Sequence, residues 1–301
     1  MSALRIVVTG TSGQVGSYLM EHFMRKHEVL GLDNRPCPYP ELKENTRLVD
    51  IALERDLGSY LKDADWVIHC AAQVSVERSM KDPMFDATNN VIGTLNMLWN
   101  SFLHEARNFI YISSAAVFGN PQRIPIDEGH PTLPMSPYGA SKLCGEKYVQ
   151  AFAAGYGLST VIIRPFNIYS KRADPDSPYS GVITKFVSWA KQGKPLLVEG
   201  DGEQTRDFVH ISDVLQMVDL VIRKANVSIG KTFNCGSGKA CSINALAETV
   251  RSLAGNRSEI KHVAPRPGDI RHSCADIALA REILEYEPRK ELREGLMELL
   301  G

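Results

Sequence analysis

The chain has 301 residues, 44% of them hydrophobic and 23% charged, which allows a sizeable buried core of the ordinary globular kind. A formal net charge of −1 supplies no field to draw the chain to nucleic acid or to an anionic membrane, so neither is expected as a partner. No apolar run is long enough to span a bilayer and no signal peptide is visible. The six cysteines (Cys37, Cys70, Cys144, Cys235, Cys241, Cys274) form no Cys-x-x-Cys pair, so reduced thiols in a cytoplasmic protein are expected, with no metal site.

Residues 4–8 are apolar and β-branched, as suits a strand buried on both faces. Thr9-Gly10-Thr11-Ser12-Gly13-Gln14-Val15-Gly16 follows at once, and an amphipathic helix then runs through Tyr18, Leu19 and Phe23. Strand, glycine turn and helix form a phosphate cradle: glycines let backbone approach a pyrophosphate, and the helix N-terminus offers free amides. The spacing is Gly-x-x-Gly-x-x-Gly rather than the commoner Gly-x-Gly-x-x-Gly. A second strand over 28–32 ends at Asp33, with Asn34 next. An acid there is expected to hold the adenosine ribose and to repel a 2′-phosphate, favouring NAD over NADP, although Arg35 stands nearby. Residues 47–50 read as a strand that places Asp50 and Ile51 toward adenine, with Asp50 as a simple helix cap the alternative.

Residues 65–69 make a fourth strand, and Cys70, Ala71, Ala72 and Gln73 leave room for a ligand at its end. One long helix is expected over 83–106, carrying Asn89, Asn90, Gly93 and Thr94. A fifth strand over 108–112 leads into Ser113-Ser114-Ala115-Ala116-Val117-Phe118-Gly119. Ser136 and Pro137 then start a helix as cap and first residue, and that helix carries Tyr138 and Lys142 one turn apart on one face. A cation beside a phenol favours the phenolate, so the pair can serve as a proton acceptor near neutral pH. A sixth strand over 159–163 runs into Arg164-Pro165-Phe166-Asn167-Ile168-Tyr169. Such alternation predicts an α/β, doubly wound parallel Rossmann sheet.

Beyond 166 the rhythm breaks. A loop with two prolines is expected over 174–180, a helix over 183–191, a turn over 199–206, and a strand over 208–211 with Ser212 capping the next helix. A Pro-rich loop covers 265–269. The expected division is an NAD-binding domain of 1–166 and 207–235, and a smaller discontinuous α/β domain of 167–206 and 236–301 that binds the substrate. Histidines show no metalloprotease spacing, and His69 and His210 read as core residues.

Taken together the motifs resemble the extended short-chain dehydrogenase/reductase family, and within it the nucleotide-sugar 4-epimerases of the UDP-glucose 4-epimerase type. The resemblance runs nearly end to end. It rests on Gly10, Gly13 and Gly16, on His69-Cys70-Ala71-Ala72, and on Asn89-Asn90-Val91-Ile92-Gly93-Thr94. It extends through the Ser113 to Gly119 stretch, Tyr138-Gly139-Ala140-Ser141-Lys142, Arg164-Pro165-Phe166-Asn167, Gly200-Asp201-Gly202 with Arg206-Asp207, and Arg266-Pro267-Gly268-Asp269. It implies a catalytic triad of Ser114, Tyr138 and Lys142, with Ser114 and Tyr138 also touching the sugar. NAD would lie against Gly10, Ser12, Gly13, Gln14, Val15, Gly16, Asp33, Asn34, Asp50, Ile51, Ala71, Ala72, Gln73, Asn90, Tyr138, Lys142 and Pro165. The UDP-sugar substrate would meet Asn167, Arg206, Arg266 and Asp269, and an arginine fork suits its diphosphate.

The implied reaction is inversion at C4: Tyr138 takes the 4-hydroxyl proton, hydride passes to NAD, and the 4-keto sugar turns over and takes hydride on its other face. Ala115 and Ala116 stand where related 4,6-dehydratases carry Asp-Glu, which argues against elimination. Ser273, near a position that limits the C2 substituent, leaves room for an N-acetyl group. The rival expectations are a nucleotide-sugar reductase with net turnover and a non-enzymatic NAD-sensing protein. The family's dimers pair through helices matching 87–105 and 139–155, so a homodimer is expected, with Met97, Leu98, Phe102, Leu143, Val149 and Phe152 as its apolar surface. Burial within one chain explains the same residues equally well.

Overall fold

Seven runs of apolar and β-branched residues lie side by side in one parallel sheet. The computed structural model describes residues 3–174, 181–266 and 268–301, so residues 175–180 of the proline loop, and Pro267, lie outside the described residues. The strands are β1 Arg5–Thr9, β2 Glu28–Asp33, β3 Thr46–Leu48, β4 Trp66–His69, β5 Asn108–Ile112 and β6 Ser159–Pro165. After β7 Asn167–Tyr169, β8 Leu196–Glu199 and β9 Thr205–His210, which lie elsewhere, β10 Thr232–Cys235 completes the set. Their order is β10-β6-β5-β4-β1-β2-β3. Alternate side chains feed opposite faces: Ile6 and Val8 enter one core with Ile68 and Ile110, whereas Val7 enters the other with Val67 and Phe109.

The order reverses between β1 and β4, so a crevice opens at the C-terminal ends of those strands. The glycine turn follows β1 there, and Cys70 to Gln73 follow β4. β7, β9 and β11 (Ala240–Ser242) make a three-stranded sheet, and β8 pairs in parallel with β12 (Ile260–Val263). These surround a third core of Tyr169, Phe186, Val198, Leu246 and Leu296. The chain then returns to the first core: Ile277, Ala280, Leu284 and Tyr286 are buried against it, and Tyr286 Oη donates to Gly236 O at 3.0 Å.

Three local expectations are corrected. The helix expected over 83–106 is Pro83–Ala87, a wide π turn Thr88–Ile92, and Gly93–Leu103. That turn carries Asn90 into the protein, where side-chain bonds hold it. The helix Ile211–Arg223 is capped by His210, not Ser212: the Ser212 amide donates to the imidazole at 3.2 Å. And of the apolar surface expected on the two pairing helices, Met97, Leu98, Val149 and Phe152 are buried within the chain. Ile92, Trp99, Phe102, Leu103 and Tyr156 stay exposed.

Candidate active site

The glycine turn admits nothing larger at two positions. Gly10 has φ +76°, and a Cβ there would lie 2.8 Å from the Ala71 amide nitrogen. A Cβ on Gly16 would lie 2.2 Å from the Gly10 carbonyl oxygen. The helix Gln14–Met24 begins at Gly13 without a side-chain cap, leaving its first amides for an anion. Val15 packs on the first core, and the Gln14 side chain donates from Nε2 to Ser170 Oγ at 2.9 Å. Asp33 is buried beside the turn; its carboxylate accepts from the Ser12 amide at 2.8 Å and the Arg35 amide at 2.9 Å. Asn34 is exposed next to it. A cradle that a single methyl would fill, closed by a buried acid, fits a dinucleotide.

The rest of the expected cofactor set divides. Ala71 and Ala72 are half-buried at the crevice, and Pro165 is buried beside it. Asp50 caps its own turn by accepting from the Ala52 amide at 2.9 Å, and Ile51 is buried. Asn90 is 0% exposed and its amide is bonded to Gln73, Asp86 and Ser141. The Gln73 side chain is likewise bonded to Ser75 and Asp86. These two amides hold the crevice wall. Ser141 Oγ donates to the Tyr138 carbonyl at 3.0 Å, so the wall is tied to the helix that carries Tyr138 and Lys142.

That helix is Pro137–Tyr156, with Pro137 in its first turn and the Ser136 hydroxyl accepting from the Gly139 amide at 3.1 Å. Tyr138 and Lys142 are both buried on its inner face. Ser114 sits opposite, at the start of a short 3-10 turn Ala115–Phe118 whose Ala116 amide it caps at 3.1 Å. Burial pushes the Tyr138 phenol above its ordinary value, and a hydrogen bond with Ser114 opposes this. The sequence expectation of a lowered phenol is therefore corrected: burial dominates, Ser114 opposes it and Asp86 adds to it, while Lys142 Nζ lies 4.5 Å from the Tyr111 ring centroid.

Burial pushes Lys142 down to about 8, against the pull of Cys70, Glu146 and Asp86. The same burial takes the Cys70 thiol up to about 12 and His69 down to about 3. His69 is thus a neutral strut, bonded to Thr9 at 2.8 Å and Thr94 at 3.0 Å.

A pH dependence follows. Lys142 carries its proton below about pH 8 and loses it above, so kcat/KM is expected to fall as pH rises through that value. Lys142→Arg, which keeps its charge, removes that limb; an unchanged limb in this variant assigns it to another group. Stability moves the other way: the unfolded lysine holds its proton to 10.5, so the folded state gains between about 8 and 10.5.

The residues expected to meet the substrate begin at β7 and β9, parallel neighbours with Asn167 opposite Phe208. Asn167 donates its amide to Asp207 O at 3.0 Å. Arg206 and Asp269 pair with each other at 2.6 Å, and Arg266 pairs with Glu199 at 2.8 Å, so both expected phosphate-binding arginines are held by carboxylates. Ser273 is buried, its amide donating to Thr205 O at 3.1 Å. Sequence reasoning missed the buried Asp86 and the Glu146–Arg164 pair. Glu146 was discoverable, because it continues the Tyr138 and Lys142 face by one further turn. Among the described residues no cluster of three or more His, Cys, Asp or Glu could hold a metal ion, and no helix is long and apolar enough to cross a membrane.

Residues 6–236 match a family model described as the NAD dependent epimerase/dehydratase family. The chain is 34% identical to the UDP-glucose 4-epimerase of Mycolicibacterium smegmatis, over 97% of this chain and 96% of that one. Among solved structures it is similar to a UDP-glucose 4-epimerase from Thermotoga maritima with UDP-glucose, at a TM-score of 0.93 and 31% identity, covering 99% and 97% of the two chains. It is also similar to a UDP-glucuronic acid 4-epimerase from Bacillus cereus in complex with UDP-glucuronic acid and NAD, at a TM-score of 0.90 and 29% identity, with 99% of each chain covered.

Proposed function

The chain belongs to the NAD-dependent epimerase/dehydratase family, and from that premise and the site above we propose that it epimerises a UDP-sugar at C4 with NAD as resident cofactor. The observation that carries this is the burial of Tyr138 and Lys142, with Ser114 hydrogen-bonded to Tyr138, in a chain that matches 4-epimerases from end to end. Gly10, Gly13 and Gly16 would hold the cofactor's pyrophosphate and Asp33 its adenosine ribose. NAD supplies the acceptor and donor of the C4 hydride. Tyr138, as phenolate, takes the 4-hydroxyl proton and returns it after the 4-keto sugar has turned over. Ser114 hydrogen-bonds the same oxygen, and the Lys142 ammonium supplies positive charge to the site. Arg206 and Arg266 would exchange their carboxylate partners for the diphosphate, with Asp269 left to the nucleotide ribose.

The Ala115–Phe118 turn carries no ionisable side chain, so the site has no acid–base pair there for eliminating water. A cytoplasmic setting is supported by six cysteines with no disulfide among them.

Purified protein with NAD and, separately, UDP-glucose, UDP-N-acetylglucosamine and UDP-glucuronate is the test, with C4 configuration read by proton NMR. The expected result is the 4-epimer of at least one sugar without net NADH. Net NADH formation, or no epimer from any of them in NAD-loaded protein, overturns the reading.

A homodimer is the second part of the proposal. Trp99 is 41% exposed and packs 5.8 Å from Phe102 and 6.0 Å from Tyr156, whose rings lie 4.9 Å apart, on the outer face of Gly93–Leu103 and Pro137–Tyr156. Sedimentation is expected to give twice the chain mass, and Trp99→Glu with Phe102→Glu to give monomers. A parent that sediments as a monomer at micromolar concentration refutes it.

A further inference from the structure

We propose that the buried Glu146–Arg164 ion pair, acting through Ser113, positions the Ser114 hydroxyl against Tyr138 for the reaction. The inference deepens the function proposed above and rests on that reading. Glu146 lies one turn beyond Lys142 on the catalytic helix and is 0% exposed. Its carboxylate takes three donors: Arg164 Nε at 2.9 Å, Arg164 Nη2 at 2.7 Å and Ser113 Oγ at 2.6 Å. Arg164 is itself buried; its Nη1 donates to Glu128 O at 3.0 Å, and its guanidinium lies over the Phe118 ring.

One ion pair therefore ties together the catalytic helix, the last turn of chain before Pro165 on β6, and the residue preceding Ser114 at the end of β5. Stability alone is a poor reason for such a pair, because apolar replacements of similar volume are often neutral or better. What the pair offers is direction. One charge-assisted bond, to a carboxylate that Arg164 holds in place with two more, fixes the Ser113 side chain, and with it the start of the 3-10 turn. Ser114 Oγ accepts from the Ala116 amide and keeps its own proton for Tyr138, so a small rotation of the chain at Ser113 changes its reach to the phenol. A misplacement of about 1 Å can cost about 100-fold in rate.

Glu146 also bears on Lys142. The groups facing that ammonium are His69 and Cys70 from β4 and its end, Asp86 from Pro83–Ala87, the Tyr111 ring from β5, and Glu146 from its own helix. Glu146, Asp86 and Cys70 favour the charged form.

Two substitutions separate positioning from folding. Ser113→Ala deletes only the hydroxyl that reads the pair, and Glu146→Gln deletes the charge. Each is compared with the NAD-loaded parent for melting temperature, kcat, KM and the ultraviolet titration of Tyr138, the latter as a difference from the same background carrying Tyr138→Phe. Ser113→Ala is expected to lose about 10- to 100-fold in kcat with KM within about twofold, to melt near the parent, and to titrate Tyr138 at higher pH as the Ser114 bond is lost. Ser113→Thr restores both readouts. Glu146→Gln moves kcat and Tyr138 in the same direction and brings the alkaline limb to lower pH. Parent-like kcat and Tyr138 titration in Ser113→Ala overturn the inference. So does a loss of activity that only tracks loss of folded protein in both variants. If the parent epimerises no UDP-sugar, the functional reading fails while the Tyr138 titration still decides the positioning claim.

Discussion

Tyr138→Phe is expected to lower kcat by about 1,000-fold while leaving fold and cofactor content intact. The ring fills its buried place on the inner face of Pro137–Tyr156 with or without the hydroxyl, and the lost hydrogen bond to Ser114 costs about 1 kcal/mol of stability. What the variant lacks is the oxygen that exchanges a proton with the 4-hydroxyl. Residual turnover depends on the remaining placement by Ser114 and Lys142, so KM is expected to stay near the parent's. The measurement is kcat and KM by NMR alongside bound NAD released on denaturation. A variant within tenfold of the parent in kcat removes Tyr138 from the proton-transfer role.

Gly16→Ala is expected to be almost as damaging, by a different route. The new methyl meets the Gly10 carbonyl at 2.2 Å and its carbon at 2.6 Å, both backbone atoms that cannot rotate aside. The turn must open, at a cost of about 1–3 kcal/mol, and its amides no longer converge on one anion. Protein purified with this substitution is expected to melt lower and to carry little NAD, with activity lost in proportion. Full NAD content in Gly16→Ala would mean that the pyrophosphate lies elsewhere.

Much of the first sheet was legible because its strands are continuous apolar runs bounded by turn residues, as parallel strands buried on both faces must be. The cradle at Gly10 and the Tyr138 helix were legible for local reasons: one needs glycines, the other a cap, a proline and an i,i+4 pair. The π turn at Thr88–Ile92 was not, since its sequence keeps an ordinary helical pattern and its cause is tertiary, the bonding of Asn90 to Gln73 across the wall. Nor did the Tyr138 and Lys142 spacing show that burial would hold the phenol above its ordinary value. Spacing puts two residues on one face, but the ammonium's seat over Tyr111 comes from β5. Apolar residues on the paired helices illustrate the same limit, because a helix bounded by a sheet on one side and a surface on the other reads alike on both.

The first core closes late. Ile277, Ala280, Leu284 and Tyr286 plug it, more than forty residues past β10. During synthesis, a nascent chain ending near 236 would hold all seven strands yet expose the apolar surface these residues cover. The compact native state becomes available only once the segment over 277–286 has left the ribosome, and until then the unfinished chain presents a sticky face to chaperones and to its neighbours. The boundary of the matched family region is for the same reason a poor place to cut, and an expression fragment of residues 1–236 is expected in the insoluble fraction.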